Sequence, residues 1–219
     1  MLDITRMRNE VPLLRLPQRE GLMDFSDICR ISIPEGESGP WKVSRFTVPP
    51  KDIKALSYAL HGRPIPSGTY TRLIRTGDHV PTMSDTPSEI RDHIEPLIQA
   101  KQRGGRILMN GLGLGVVLKG FLSFPEVTHV DVVEIDADVI KLVAPSYYDH
   151  RVTIYHVDAF EITWPKDTRW SVVWHDIWPS ICSDNLPEMT KLHRKYGHKC
   201  DWQGSWCRYQ CLRQRGTGY

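Results

Sequence analysis

The chain has 219 residues, of which 40% are hydrophobic and 25% charged, and its formal net charge is +2. This composition excludes a chain that is disordered throughout, and the length suits one substantial domain with or without a smaller N-terminal piece. The net charge excludes a polycation. Residues 191–219 nevertheless carry seven cations against one acid. This basic tail permits contact with nucleic acid, although a solvated helix face is the favoured interpretation.

The sequence predicts neither a signal peptide nor a membrane span. The first residues contain no apolar core of a signal sequence. The most apolar stretch, Ile107–Leu122, is interrupted by Asn110, glycines and Lys119, so it is too short and too broken to cross a bilayer. Five cysteines without a secretion signal indicate free thiols in a reducing compartment. We therefore expect a cytoplasmic protein that makes no membrane contact.

Residues 1–84 are predicted to form a small N-terminal α+β extension or lid. Trp41–Val48 alternates between polar and apolar side chains like a strand and stops at two prolines. Asp52–Leu60 is predicted to be a short helix, and Thr69–Ile74 a second strand.

A helix is predicted to begin after Asp85. The segment Thr86–Glu89 provides an N-cap, a proline at the first helical position and a glutamate that completes a capping box. Pro96 is predicted to kink this helix and Gly104 to end it. The apolar side chains that share one face are Ile90, Ile94, Leu97 and Ile98.

From residue 106 onward, short apolar strands alternate with helices. The strands are predicted at 106–110, 128–135, 151–157 and 171–177, and the helices at 114–122, 138–143 and 184–196. Strands that are apolar on both faces belong to a parallel sheet covered by helices. Residues 85–219 are therefore predicted to form a Rossmann-like, three-layer α/β/α domain. The segment after Asp176 is predicted to be helical, which implies a sheet that is shortened at its C-terminal side.

A glycine-rich turn, Asn110-Gly111-Leu112-Gly113-Leu114-Gly115, follows the first strand of this domain. Glycines at such a turn let a ligand approach the backbone and aim the next helix N-terminus at it. A dinucleotide-binding turn requires G-x-G-x-x-G, whereas the third glycine here comes one residue early. The spacing disfavours a nicotinamide dehydrogenase and favours another nucleotide cofactor.

Each of the next three predicted strands ends in an acidic residue. Glu134 closes the second strand, about 20 residues after the turn, where a carboxylate accepts hydrogen bonds from ribose hydroxyls. Asp158 closes the third strand and Asp176 the fourth. Because ligands bind at the carboxyl ends of the strands in an open α/β sheet, the glycines and the three acids are predicted to line one site.

Residues 105–180 resemble the cofactor-binding half of class I S-adenosylmethionine-dependent methyltransferases, most nearly the spermidine-synthase-like branch. The resemblance rests on the glycine turn and on the order of the acids, and extends loosely to the preceding helix. It implies a class I methyltransferase fold with S-adenosylmethionine as the cofactor. Asn110 departs from the family pattern, in which an acid frequently precedes the first glycine.

The resemblance also implies individual roles. The glycines match the turn beneath the methionine part of the cofactor, and Glu134 matches the ribose-binding acid. Asp158 and the backbone N–H of Ala159 match the groups that read adenine, while Asp176 lies near the methionyl group and the acceptor. The implied cofactor-binding residues are Asn110, Gly111, Gly113, Gly115, Glu134, Ile135, Asp158, Ala159 and Asp176.

The catalytic candidates are Asp176 and His175. A histidine ordinarily titrates in the range that suits a general base. Strand alternation points the two side chains to opposite faces, so we expect only one of them, Asp176, to face the ligand. Tyr70, Asp85 and Trp178 are candidate substrate contacts, with core packing as the alternative for Trp178.

Three functions are consistent with these residues. The first is methyl transfer to an acceptor that the sequence does not name, a reaction that needs positioning more than a protein nucleophile. The second is aminopropyl transfer from the decarboxylated cofactor, which requires an acidic polyamine pocket. The third is a non-catalytic protein that binds S-adenosylmethionine. Asp176-Ile-Trp-Pro179 differs from the Asp/Asn-Pro-Pro-aromatic motif of DNA amino-methylating enzymes, which disfavours that subclass.

The C-terminal segment suggests packing rather than a metal site. Its histidines and cysteines lack C-x-x-C spacing, so no metal is predicted. Trp202, Trp206 and Tyr209 are spaced like one face of a helix. Strands from residues 41–80 or a second subunit are expected to complete the acceptor pocket, so a homo-oligomer is one option.

Overall fold

The computed structural model of the protein describes residues 25–50 and 63–216. These residues form two sheets and the helices that cover them. The strands are β1 (Gly36–Ser38), β2 (Trp41–Val48), β3 (Gly68–Arg75), β4 (Met83–Ser84), β5 (Gly105–Asn110), β6 (Val127–Glu134), β7 (Val152–His156), β8 (Trp170–His175) and β9 (Cys200–Ser205). The α-helices are α1 (Phe25–Cys29), α2 (Pro87–Asp92), α3 (Ile94–Arg103), α4 (Val116–Leu122), α5 (Ala137–Val143), α6 (Leu186–Tyr196) and α7 (Arg208–Gly216).

The N-terminal sheet is antiparallel and has the order β1-β2-β3-β4. Strands β2 and β3 pair along their whole length, from Trp41 opposite Arg75 to Val48 opposite Gly68. Both strands are confirmed predictions, because alternation of polar and apolar residues suits a sheet with one covered face. The helix predicted at 52–60 lies outside the described residues.

The helix predicted after Asp85 is divided into α2 and α3 at His93. Thr86 caps α2, since its side chain accepts a hydrogen bond from the backbone N–H of Glu89. Pro96 has no N–H to donate to the carbonyl of residue 92, so the helical ladder is interrupted just before the proline. Within α3, Leu97 is buried as predicted but Ile98 is exposed.

The second sheet is parallel, with the order β7-β6-β5-β8-β9. Strand β5 is central and pairs with both β6 and β8. Its residues Ile107–Met109 are almost completely buried, as are their neighbours in β6 and β8. The chain is therefore a Rossmann-like α/β protein with an N-terminal antiparallel extension, and the four predicted parallel strands are confirmed. Among the described residues, no helix combines the length and apolarity needed to cross a bilayer.

The prediction that the chain is helical after Asp176 is wrong in one respect. Strand β9 follows α6 and runs parallel to β8, with Trp170 opposite Cys200 and His175 opposite Ser205. Its residues, Cys-Asp-Trp-Gln-Gly-Ser, are mostly half-buried, since β9 is the last strand of the described sheet. Such a strand lacks the apolar run by which the inner strands were predicted.

The predicted helix face of Trp202, Trp206 and Tyr209 is also wrong. Trp202 lies in β9 and stacks on Trp174 of β8, with ring centroids 6.3 Å apart and an interplanar angle of 10°. Trp206 is buried after the strand, whereas Tyr209 is exposed in α7. A strand places alternate residues on opposite faces, so the spacing of four residues does not define a common face here.

A buried carboxylate connects four strands of the parallel sheet. Asp131 of β6 accepts hydrogen bonds from Arg106 Nε at 2.6 Å and Nη2 at 2.9 Å, in β5. It also accepts from Trp170 Nε1 in β8 at 2.7 Å and from the Tyr155 hydroxyl in β7 at 3.3 Å. The side chain of Asp131 is fully buried, and its charge is compensated by this set of donors.

We expect Asp131→Ala to lower the free energy of unfolding by about 3 kcal/mol, because it leaves the buried Trp170 N–H without an acceptor and Arg106 without its carboxylate. Asp201→Ala is the matched control, since Asp201 pairs with Arg169 at 3.2 Å with both side chains exposed. That change should stay within about 0.5 kcal/mol. Urea denaturation of the three proteins measures the difference, and equal effects would contradict a structural role for the buried pair.

Candidate functional site

A cavity of about 530 Å³ opens at the carboxyl edge of the parallel sheet. Its volume lies within the usual range for small-molecule sites. One part of the lining comes from the segments that follow β5, β6, β7 and β8. The rest comes from the N-terminal sheet. The lining residues are Trp41, Leu73, Arg75, Asp78, Thr82, Met83, Gly111, Gly113, Val133, Glu134, Ile135, Asp136, Val139, Val157, Asp158, Ala159, Phe160, Asp176, Ile177, Trp178 and Pro179.

The glycine turn forms the part of this lining that follows β5. Gly111 has a φ of 97° and Gly113 a φ of 50°, conformations that side chains with a Cβ rarely adopt. A Cβ at Gly111 would overlap the backbone carbonyl of Asp176, and one at Gly113 would lie 2.5 Å from Met83 Sδ. The turn therefore needs glycine both for its conformation and for its close approach to neighbouring segments.

Glu134 fastens the turn to the end of β6. Its Oε2 accepts a hydrogen bond from the backbone N–H of Leu112 at 2.8 Å, and its Oε1 accepts from the N–H of Asp136 at 2.9 Å. The residue is 8% exposed, and it borders the cavity. Each carboxylate oxygen can accept a second hydrogen bond, so Glu134 can hold ligand hydroxyls without releasing the turn.

The segments after β6 and β7 add an apolar surface beside acidic groups. Ile135 is 64% exposed although it is apolar, and it lines the cavity. Asp158 Oδ1 accepts a hydrogen bond from the backbone N–H of Phe160 at 2.7 Å, which fixes the loop after β7. Ala159 is buried between them and leaves the space in front of the loop open. This arrangement suits a flat ligand group with polar edges.

Asp176 reaches the cavity from the end of β8. Its side chain is only 10% exposed. Burial raises the pKa of this carboxyl well above its ordinary value, and the charges of Glu89, Asp92 and Glu134 raise it further. His93 lies behind it, with Nε2 3.8 Å from Asp176 Oδ2. Asp176 is therefore a protonatable group at the ligand edge.

His175, the other catalytic candidate, does not line the cavity. It is fully buried, with Nδ1 2.8 Å from Asn110 Nδ2 and Nε2 3.4 Å from Gln203 Oε1. Burial, together with the nearby His193, lowers its pKa to about 3. His175 thus lies away from the cavity, because strand alternation turns it into the layer below α6.

Four other candidate residues do not line the cavity and instead pack or hydrogen-bond within the surrounding structure. Asn110 is fully buried against His175, and a Cβ at Gly115 would overlap the ring of Tyr147. The Tyr70 hydroxyl donates to the Pro66 carbonyl, and Asp85 accepts from the backbone N–H of Thr71. These hydrogen bonds belong to the N-terminal sheet and its connections.

The remaining predicted residues do meet at one cavity, in the arrangement expected for parallel strands. Trp178 is among them, and its Nε1 donates to Glu188 Oε2 at 2.8 Å, which fixes the indole. The residues brought together are Gly111, Gly113, Glu134, Ile135, Asp158, Ala159, Asp176 and Trp178.

The N-terminal sheet contributes Trp41 and Arg75 to the lining of the cavity, in line with the option that strands from residues 41–80 complete the pocket, although Trp41 itself was not a candidate. Trp41 Nε1 donates a hydrogen bond to Asp136 Oδ2 at 2.6 Å. The Arg75 guanidinium lies 5.9 Å from the centroid of the Trp41 ring. Strand alternation identifies a covered face of β2 and β3, but not the segment that covers it. Within residues 25–50 and 63–216, no three His, Cys, Asp or Glu side chains are grouped to bind a metal ion.

Comparisons with known proteins return similarities of fold. The sequence matches no protein-family model and no curated protein. Among solved structures, the chain is similar to the N-methyltransferase NodS from Bradyrhizobium japonicum WM9, at 11% identity over 56% of this chain and 71% of that one, with a TM-score of 0.43. It is also similar to the CcbJ methyltransferase from Streptomyces caelestis, at 16% identity over 50% of this chain and 45% of that one, with a TM-score of 0.39.

A third similar structure is the RNA methyltransferase candidate PH1948 from Pyrococcus horikoshii, at 19% identity over 53% of this chain, with a TM-score of 0.41. The chain spans 58% of the length of that protein. At these identities, the similarity concerns the fold alone.

We expect Gly111→Ala to destabilise the protein by clearly more than Gly77→Ala. Gly77 has a φ of 94°, close to that of Gly111, but apart from its chain neighbours no atom of the described residues lies within 4 Å of the position its Cβ would take. Gly77→Ala should therefore show the backbone strain alone, about 1–2 kcal/mol. Gly111→Ala adds the overlap with the Asp176 carbonyl. Chemical denaturation measures both, and equal losses would contradict the close approach of the turn to the end of β8.

Proposed function

We propose that the protein is an S-adenosylmethionine-dependent methyltransferase whose cofactor lies in the cavity at the carboxyl edge of the parallel sheet. The observation that carries this proposal is the convergence of the glycine turn, Glu134, Asp158 and Asp176 on one cavity. The family resemblance of residues 105–180 implies a cofactor role for each of them.

The residues present fit this cofactor. Gly111 and Gly113 have no room for side chains and line the cavity, so their backbone lies beside the space for the methionine part. Glu134 has acceptor sites left for the two ribose hydroxyls. Exposed Ile135 offers an apolar face for adenine, and Asp158 Oδ2 an acceptor for its amino group. When bound, the cofactor supplies a methyl group already activated on a positively charged sulfur.

The protein then has to orient the acceptor, exclude water and take up the proton that the acceptor loses. Trp178 and Met83 supply apolar surface beside the end of β8. Asp176 is placed to accept a hydrogen bond from the acceptor or to take the proton that the acceptor loses on methylation. Burial raises the pKa of this carboxyl, so its carboxylate is a stronger base than that of an exposed aspartate.

Glu134→Gln should weaken binding of S-adenosylmethionine by about ten- to a hundredfold, because it removes the charged acceptor of the ribose hydroxyls while keeping the side-chain shape. Glu126→Gln is the matched control, since Glu126 is exposed just before the opposite end of the same strand. Titration calorimetry with S-adenosylmethionine and S-adenosylhomocysteine gives the dissociation constants. Failure of the folded wild-type protein to bind either ligand would refute the proposal, and equal affinities for the two variants would refute the role of Glu134.

Aminopropyl transfer, as in the spermidine-synthase-like branch, is a second candidate that one observation favours. Five acidic residues line the cavity against one cation, Arg75. Asp78, between β3 and β4, is one of these five acids, whereas Asp184 and Glu188 do not line the cavity. A cavity of this charge suits a cationic amine as the acceptor.

Mass spectrometry distinguishes the two reactions when the protein is incubated with a panel of primary amines and polyamines. S-adenosylmethionine should yield products heavier by one methyl group, together with S-adenosylhomocysteine. Products that carry an added aminopropyl group, formed only from the decarboxylated cofactor, would establish the second candidate instead. Binding of S-adenosylmethionine without release of S-adenosylhomocysteine on any acceptor would support the non-catalytic alternative.

A further inference from the structure

A buried histidine lies directly behind the acid at the cavity edge. His93 occupies the junction of α2 and α3 and has no exposed surface. Neither ring nitrogen has a hydrogen-bond partner among the described residues, although Nε2 is 3.8 Å from Asp176 Oδ2. The edge of its ring meets Trp174 at a centroid distance of 6.1 Å. A buried polar side chain without partners is rare, and here it points at a carboxyl group of the site.

The surroundings of this pair are mainly acidic. From α2, Glu89 and Asp92 raise the pKa of Asp176, and Glu134 does so from the end of β6. Arg63 pairs with Asp92 at 2.7 Å and approaches Glu89 at 3.6 Å. These two carboxylates thereby share one cation.

Two further groups complete the surroundings. After β9, the thiol of Cys207 is buried and its pKa is raised, so it stays uncharged. Trp174 of β8 brings no charge. The carboxyl group of Asp176 has no hydrogen bond and no cation of its own among residues 25–50 and 63–216. Its charged form therefore lacks compensation in the protein alone.

We propose that Asp176 gives up a proton when the cationic cofactor enters the cavity, and that His93 is its positioning residue, which donates an Nε2–H hydrogen bond to the carboxylate thus formed. This inference rests on the proposed function. It gives a role to His93, which is not among the predicted cofactor-binding residues.

The direction of the effect follows from charge. Burial raises the pKa of Asp176, so the carboxyl is protonated in the empty cavity over a pH range in which an exposed aspartate is ionised. A sulfonium cation favours the carboxylate and lowers that pKa, so binding releases the proton to the solvent. Affinity for S-adenosylmethionine should therefore rise with pH until Asp176 is ionised in the empty protein. S-adenosylhomocysteine, with a neutral sulfur, should show no such rise.

His93 is suited to donate rather than to carry charge. Burial and, as the smaller cause, the charge of Arg63 lower its pKa to about 3, so the ring is neutral at working pH. A neutral imidazole with its proton on Nε2 donates to the carboxylate without adding a charge. Loss of this donor leaves the ionised carboxylate unpartnered, which should move the proton release to higher pH.

Titration calorimetry in buffers of different ionisation enthalpy counts the protons released on binding, from about pH 5 to about pH 9. The wild-type protein should release up to about one proton with S-adenosylmethionine and close to none with S-adenosylhomocysteine. In Asp176→Asn, the difference between the two ligands should vanish. Glu89 is retained in that variant, and burial raises its pKa to about 7 against the opposing charge of Arg63. A difference between the two ligands that persists in Asp176→Asn would therefore assign the proton to Glu89 and overturn the role of Asp176.

Two variants at position 93 distinguish loss of the hydrogen bond to Asp176 from loss of the folded structure. His93→Phe should shift the release to higher pH by about one unit, since one hydrogen bond to a charged group is worth about that much. His93→Gln keeps an N–H donor and should restore part of the shift. A wild-type protein that binds S-adenosylmethionine with the same proton count as Asp176→Asn would overturn this inference alone. No binding of either ligand by the folded protein would overturn the proposed function with it.

Discussion

The site depends on the contact between Gly111 and the backbone carbonyl of Asp176, which leaves no room for a side chain. This contact continues the pairing of β5 with β8, since the Asp176 N–H donates to the Asn110 carbonyl at 2.8 Å. Gly111 donates to Val133 of β6 on the other side, so three strand ends are held together. From this point the connections diverge, one towards β6 and one towards β9, and a crevice opens between them. The glycine turn thus defines where a ligand can enter.

The central part of the fold could be predicted because its physical requirements are local. Strands buried on both faces need continuous apolar residues, and the segments around 107–109 and 130–133 satisfy that requirement visibly. Strand β9 could not be found in this way, because Cys200–Ser205 is mostly half-buried, has no continuous apolar run and owes its pairing to β8. The same reasoning explains the N-terminal sheet. Its strands were apparent from alternation, but the contact of Trp41 with Asp136 joins residues far apart in sequence.

The acids of the site were predictable from their positions at the ends of parallel strands, but the side chains that surround each acid were not. The end of a parallel strand fixes where Glu134, Asp158 and Asp176 emerge, whatever surrounds them. Alternation also separates Asp176 from His175, although it does not tell which of the two faces the cavity. His93 carried no signal at all in the sequence, because its neighbour Asp176 lies in a different element. Only the packing of α2 and α3 against β8 brings the two side chains together.

Asp131 and Asp176 show how differently one sheet treats two buried acids. Asp131 accepts two hydrogen bonds from Arg106 and one from Trp170, so its charge is compensated within the protein. Among the described residues, the Asp176 carboxyl lies beside the uncharged His93 and has no cation of its own, and the surrounding carboxylates oppose its ionisation. A buried carboxylate without a neighbouring cation is unfavourable unless a ligand provides the positive charge. Stability of the fold alone therefore does not account for an aspartate at position 176. Within the part of the chain that the structure describes, the lack of a cation beside Asp176 is what the proposed cationic ligand requires, and it sets Asp176 apart from Asp131.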